Sequence, residues 1–171
     1  MKEKIILRKA KKGDAVGIAK LVKEGLDKRN FQYIGRNKPW NKKKVKEMDE
    51  NLGKKGGIIF VAEDVNAKKI VGSFSCFYNP EGRLRHCGDC GWSVHPDYQK
   101  RGIGTELLKK IMVEAKKQGL KRLEAEMAIR NEGSWKMAKK CGFKIEGKKE
   151  KALLTDDGKL IDTYVMGRIL K

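Results

Sequence analysis

Apolar positions along the chain follow two spacings, and together they predict alternating strands and helices. Residues 4–9, with Ile5, Ile6 and Leu7, read as a short strand. Asp14 stands where it can N-cap a helix whose apolar positions Ile18, Ala19, Leu21 and Val22 recur at helical spacing. A second helix is expected from about Pro39, since proline suits a first helical position, to Leu52; its stripe of Trp40, Val45, Met48 and Leu52 is thin. Residues 57–63 and 70–78 are two β-rich runs separated by the turn-like Asp64, Val65, Asn66 and Ala67, which predicts an antiparallel hairpin. A third strand covers roughly residues 84–94 and ends at His95 and Pro96.

The strongest helical signal follows. Ile103, Leu107, Leu108, Ile111, Met112 and Ala115 form one apolar face, and Gly119 suits the position just past the helix end. Leu123, Ala125, Met127 and Ile129 then alternate with Arg122, Glu124, Glu126 and Ala128, the period of a half-buried strand. Asn131 caps a short helix that runs through Cys141 and is stopped by Gly142. Residues 143–147 and 160–170 are expected as closing strands, joined by a turn at residues 155–158. The class is mixed α+β.

The chain has 171 residues, 39% of them hydrophobic, which suffices for one core and predicts a single domain over residues 1–171. Lys+Arg total 41 against 22 Asp+Glu, a net charge of +19, so an anionic partner is expected: a phosphorylated ligand, nucleic acid or the ribosome. The lysine doublets are scattered from Lys11-Lys12 to Lys148-Lys149, so the charge belongs to a folded surface and not to a tail. The longest uncharged run, residues 70–80, falls short of the roughly 20 apolar residues of a membrane span. Ile5 to Leu7 is too short for a signal-peptide core, which points to a cytoplasmic protein without membrane contact. Cys76, Cys87, Cys90 and Cys141 are then expected as thiols in a reducing compartment.

Residues 94–105 carry the densest chemistry: a strand end, a loop and the start of the strong helix. Amides at a helix N-terminus carry partial positive charge, Gly102 and Gly104 let an anion approach the backbone, and Lys100 and Arg101 add full charges. A pyrophosphate suits that arrangement. The sequence Gln99-Lys100-Arg101-Gly102-Ile103-Gly104 matches the Gln/Arg-x-x-Gly-x-Gly/Ala signature of the GNAT superfamily of acyl-CoA-dependent N-acetyltransferases. Asn131-Glu132-Gly133-Ser134, followed by Cys141-Gly142-Phe143, resembles that family's second landmark, and the opening and closing segments also look like it.

The resemblance implies a GNAT fold: a mostly antiparallel mixed sheet of about six or seven strands with a central, splayed parallel pair, flanked by about four helices. It implies acetyl-CoA as acetyl donor, with no metal. The amides of Lys100, Arg101, Gly102, Ile103, Gly104 and Thr105, after Gln99, would hold the CoA pyrophosphate; Trp92, Ser93 and Val94 would pair with the pantetheine arm, and Asn131 would contact the same arm. The amine acceptor, a protein N-terminus or a small-molecule amine, would enter from the opposite side. A homodimer is the family's expectation.

Direct transfer to an amine needs a base to take its proton. Glu126, five residues before Asn131, stands where N-terminal-amine acetyltransferases of the family place a catalytic Glu; Asp89 stands where other branches carry an acid. Each is alternatively an ordinary strand-surface charge. The family's general-acid Tyr is replaced by Ala138, leaving Tyr98, Tyr164 or solvent to protonate the thiolate. His86, Cys87 and Cys90 make only half a zinc site and read as plain thiols beside a histidine. Trp40, Trp92 and Trp135 read as packing residues. Residues 36–55 are net +5, which would favour an amine on a neutral or acidic carrier if they border the acceptor. The rival expectation is a basic nucleic-acid or ribosome binder that keeps the fold and has lost the chemistry.

Overall fold

A computed structural model describes residues 4–27, 39–155 and 157–171. Arg36, Lys38 and Asp156 therefore lie outside the described residues. The elements are β1 (Ile5–Lys9), α1 (Asp14–Asp27), α2 (Lys42–Asn51), β2 (Gly57–Asp64), β3 (Lys69–Phe77), β4 (Cys87–Val94), a single 3-10 turn (Pro96–Tyr98), α3 (Ile103–Lys117), β5 (Arg122–Ala128), α4 (Glu132–Lys140), β6 (Lys144–Leu154) and β7 (Leu160–Ile169). The seven strands form one sheet in the order β1-β2-β3-β4-β5-β7-β6. Every neighbouring pair is antiparallel except β4 and β5, which α3 joins as a parallel pair.

That parallel pair shapes the site. Pairing extends only over Cys87↔Arg122, Gly88↔Leu123 and Asp89↔Glu124. Beyond it β4 stays zipped to β3 as far as Val94↔Gly72, and β5 stays zipped to β7 as far as Ala128↔Thr163. Each strand keeps its antiparallel partner, so sheet twist separates the two halves and leaves a wedge between Gly91–Val94 and Glu126–Ala128. The closed end is pinned by the His86 carbonyl, which accepts from both Lys121 N (2.9 Å) and Arg122 N (3.1 Å).

Helices cover both faces. On one face, Leu107, Leu108, Ile111 and Ala115 of α3 are fully buried against Phe60, Phe74, Leu123 and Met127. Burying each large side chain there contributes about 1.5–3 kcal/mol. On the other face, Ile18 and Leu21 of α1 pack on Val61 and Ile70, with Trp40 and Met48 at the edge.

Several boundaries differ from the sequence expectations. Asp14 does not cap α1. It is the first helical residue, and its carboxylate accepts from Arg8 and from Lys11 N (2.7 Å); the N–H groups of Gly13 (2.7 Å) and Ala15 (3.3 Å) go to Asp49 Oδ1 of α2. Helix α2 begins at Lys42 and not at Pro39, because Asn41 supplies the cap by accepting from Lys44 N at 2.8 Å. The third strand starts at Cys87 and not at residue 84. Strand β6 runs on to Leu154, well past Gly147, as an edge strand almost wholly exposed; its pairing with β7, not burial, maintains it. Among the described residues no helix is long and apolar enough to cross a membrane.

Candidate active site

The wedge opens into a cavity of about 790 Å³ on the α1–α2 face. Its floor is Asp89, Cys90, Gly91, Trp92 and Ser93 of β4 with Glu126, Met127 and Ala128 of β5, and Asn131 closes one end. Trp92 is fixed by stacking on Phe74, centroids 4.7 Å apart and planes 19° apart. The outer walls come from Ile18 and Val22 of α1, Lys44, Glu47 and Met48 of α2, and the strand residues Ser73 and Phe77.

Next to this wedge the turn between β4 and α3 is wound to leave amides unpaired. Lys100 (φ 60°) and Gly102 (φ 81°) both adopt the left-handed conformation. Nothing lies within 4 Å of where a Gly102 Cβ would stand, so it is the backbone angle that calls for glycine there. The first bond of the α3 ladder runs from Glu106 N to Gly102 O, which leaves the N–H groups of Ile103, Gly104 and Thr105 without a helical carbonyl. They form a small concave surface of positive partial charge. Gly104 has a different reason for its small size: a Cβ would stand 2.8 Å from Met137 Sδ, so glycine lets α3 and α4 meet.

The other residues of the turn brace it. Gln99 Nε2 donates to the Val94 carbonyl (3.0 Å), tying the turn back to β4. The Arg101 guanidinium donates to Asp97 O (2.6 Å) and lies over the Tyr98 ring. Ile103 is buried, so only its backbone faces outward. Asn131 occupies the N-cap position of α4, but its side chain makes no capping bond, contrary to the expected cap, and it lines the cavity instead.

The two carboxylates sit in contrasting fields. Asp89 is exposed at the cavity, with Glu124 beside it in register. Desolvation by the cavity walls, then the charges of Glu124 and Glu126, push its pKa up. For Glu126 burial also acts upward, but Lys149 Nζ at 2.6 Å and the Thr163 hydroxyl, donating at 2.6 Å, outweigh it and hold the pKa below the usual carboxylate range. Glu126 is therefore a fixed anion, and Asp89 the more basic of the two.

Tyr98 cannot serve as a free acid, since its hydroxyl donates to Asp64 Oδ2 at 2.9 Å. Tyr164 packs edge-on to Trp135 and does not line the cavity. Ala138, at the tyrosine position, is fully buried. Cys87 and Cys90, three apart on a strand, point to opposite faces, and all four cysteines are free thiols. Among the described residues no group of three or more His, Cys, Asp or Glu could hold a metal ion.

A model of the acetyltransferase (GNAT) family matches residues 17–143. The chain belongs to the GNAT family. A curated relative, the L-amino acid N-acetyltransferase AaaT of Escherichia coli, is 30% identical over 102 residues; the match covers 58% of this chain and 62% of that relative's length. Among solved structures, the GNAT-family acetyltransferase of Streptococcus pneumoniae superposes with TM-score 0.87 at 24% identity, covering 97% of this chain and 99% of that one. The acetyltransferase yncA of Salmonella typhimurium, solved with acetyl-CoA, superposes with TM-score 0.84 at 18% identity, covering 98% of this chain and 94% of that one. These likenesses confirm the expected GNAT architecture, including the parallel pair within the seven-stranded sheet.

Sequence reasoning missed parts of this GNAT site. Lys149, 23 residues from Glu126, left no local signal, and neither did the wall formed by Trp40, Met48 and Phe77. Ser73 and Ser75 could have been noticed as polar positions facing the cavity within an otherwise apolar strand.

Proposed function

We propose that this protein transfers the acetyl group of acetyl-CoA directly to a small primary amine. The observation that carries the reading is the wedge between β4 and β5: the amide-lined turn follows directly on β4, and the cavity lined by Asp89 and Glu126 opens from the wedge. The two halves of a bisubstrate reaction need those two environments. The unpaired amides of Ile103, Gly104 and Thr105 suit a pyrophosphate. Past Asp89, β4 parts from β5 while it stays paired to β3, and the edge that faces the wedge suits an extended amide-bearing arm, with the side chain of Asn131 lining the same cavity.

Bound acetyl-CoA would supply the activated carbonyl. The protein's part is to neutralise and aim the amine. Glu126, held anionic, draws an ammonium group into the wedge. Asp89, with its raised proton affinity, takes a proton from that ammonium, freeing the lone pair for attack. We therefore favour Asp89 as base and Glu126 as anchor. The leaving thiolate is protonated by solvent, since neither Tyr98 nor Tyr164 is available at the cavity.

The chamber under α1 and α2 is small and partly apolar, with Ile18, Val22 and Met48 facing Lys44 and Glu47, so we favour a free amine of metabolite size over a protein N-terminus. An amino acid fits, its carboxylate meeting Lys44; the curated relative is named for such acceptors. Release of CoA thiol, followed across a panel of amino acids, polyamines and N-terminal peptides, tests this. Fastest turnover on an amino acid supports the reading; fastest turnover on a peptide would overturn the acceptor, and no turnover on any amine would overturn the activity.

A further inference from the structure

A second cavity, of about 500 Å³, lies at the opposite end of the sheet, where β4 and β5 begin and α3 ends. Four cations line it from separate segments: Lys55 before β2, Arg83 and Arg85 in the β3–β4 connection, and Lys121 before β5. His86 and Gln118 complete the polar wall, and no carboxylate lines it. Elsewhere on this basic chain Arg8 is paired with Asp14 and Glu63, and Arg122 with Glu124 and Glu146. Among the described residues none of the four cations at this cavity is in an ion pair. Nearby acids do not line it: Glu114 of α3 is taken by Lys9 at 2.8 Å and by the Gln118 amide at 3.1 Å, and Glu81, in the same connection as Arg83 and Arg85, lies outside the wall.

The end of α3 accounts for only part of this charge. A helix C-terminus presents roughly half a negative charge, which one cation offsets. Four full charges around a space within the roughly 300–1,000 Å³ typical of small-ligand sites call for a ligand of comparable opposite charge. A single phosphate, with at most about two negative charges, leaves half of them unmatched. Three linked phosphates carry roughly four, at about one per bridging group and two at the terminus. The forked donors of Arg83 and Arg85 match phosphate oxygens.

We propose that this cavity binds an oligophosphate, a chain of two or three linked phosphates, either free or carried on a nucleotide. The site is separate from the amide-lined turn, which lies at the far end of β4. Its walls include His86 and Lys121, whose backbones pin the closed end of the splayed pair, so an occupant strengthens the hinge of the wedge.

Calorimetric titration of the full chain, first saturated with CoA and kept at physiological ionic strength, tests the proposal with tripolyphosphate and ATP in separate arms. One saturable event is expected with tripolyphosphate. Equal affinity for ATP identifies the phosphate chain alone as the ligand, and at least tenfold tighter ATP identifies a nucleotide. Arg83→Gln with Lys121→Gln, both exposed positions, should weaken the event at least tenfold while the affinity for CoA stays the same. Arg85→Gln serves as a second variant if the pair folds poorly. No saturable heat with either anion, or binding unchanged in the variants, would overturn the site. Binding only to an RNA oligonucleotide, falling steeply with salt, would overturn the small anion in favour of a nucleic-acid surface.

Discussion

The Lys149 ammonium stands 2.6 Å from Glu126 Oε2 and holds that carboxylate charged, while Asp89, on the facing strand, feels Glu126 as a like charge. Burial and the charge of Glu124 raise the proton affinity of Asp89 most, and the Lys149–Glu126 pair adds to it from a distance. Removing the anion with Glu126→Gln should lower the Asp89 pKa and move the acidic limb of kcat/KM to lower pH. Removing the cation with Lys149→Gln leaves Glu126 less compensated and should move that limb to higher pH. Rate profiles of the two variants check the opposite signs; a limb that neither variant moves would show that Asp89 does not control it.

Loss of the base itself should be more severe. Asp89→Asn keeps shape but cannot accept a proton, and a positioned base contributes about 10² to 10⁴ in rate. We expect kcat to fall by that factor with acetyl-CoA affinity preserved, and Glu126→Gln to raise the acceptor KM more than it lowers kcat. A dead Glu126→Gln beside a near-normal Asp89→Asn would reverse the two roles.

Gly102 and Gly104 should separate in their effects. Gly102→Glu puts a charge against the amide-lined turn and a Cβ on a left-handed backbone, and should weaken acetyl-CoA at least tenfold, about 1.4 kcal/mol. Gly104→Ala instead meets Met137 Sδ at 2.8 Å and should lower stability, with Met137→Ala restoring part of the loss. Thermal unfolding of the single and double variants measures that coupling. Additive losses would mean that the α3–α4 contact does not restrict the site.

The contrast between these glycines marks what the sequence could reveal. The turn at residues 99–105 was legible because its chemistry is local: a strand end, two glycines and an amphipathic helix in one run. The parallel pair and its splay followed from family resemblance, and the reason for the splay appears only in the register, where three residue pairs hold and the rest part. Asp49 as cap of α1 and Lys149 as partner of Glu126 join segments 34 to 36 and 23 residues apart, which no local pattern encodes. Strand β6 was underestimated because its residues are almost all exposed and show no alternation to read.

The Asp49 cap ties the two helices that roof the acceptor chamber, so it should matter for one substrate only. Asp49→Ala leaves the N–H groups of Gly13 and Ala15 without their acceptor and should cost about 1 kcal/mol in thermal unfolding. The acceptor KM should rise as α1 and α2 loosen, while acetyl-CoA binding, on the far side of the wedge, stays constant. An unchanged acceptor KM would detach the cap from the chamber.

Asp14 makes the fold's stability depend on acid. Burial alone would raise its pKa, yet Arg8, donating at 2.6 and 2.9 Å, and Lys11 N more than offset that and hold it below the ordinary 3.8. A carboxylate with a folded pKa below its unfolded value contributes stability that is complete above the unfolded pKa, near 4, and is lost as pH falls through the folded value. Asp14→Asn keeps the size but gives up the charge that Arg8 bonds, and should cost about 1.5–3 kcal/mol at pH 7, the range for hydrogen bonds to charged groups. The deficit should narrow below about pH 4, because the wild-type carboxylate is then also taking up its proton. Denaturant unfolding of both chains at pH 7, 5 and 3 checks the trend. A deficit as large at pH 3 as at pH 7 would place the effect of the substitution in packing and not in the Asp14 charge.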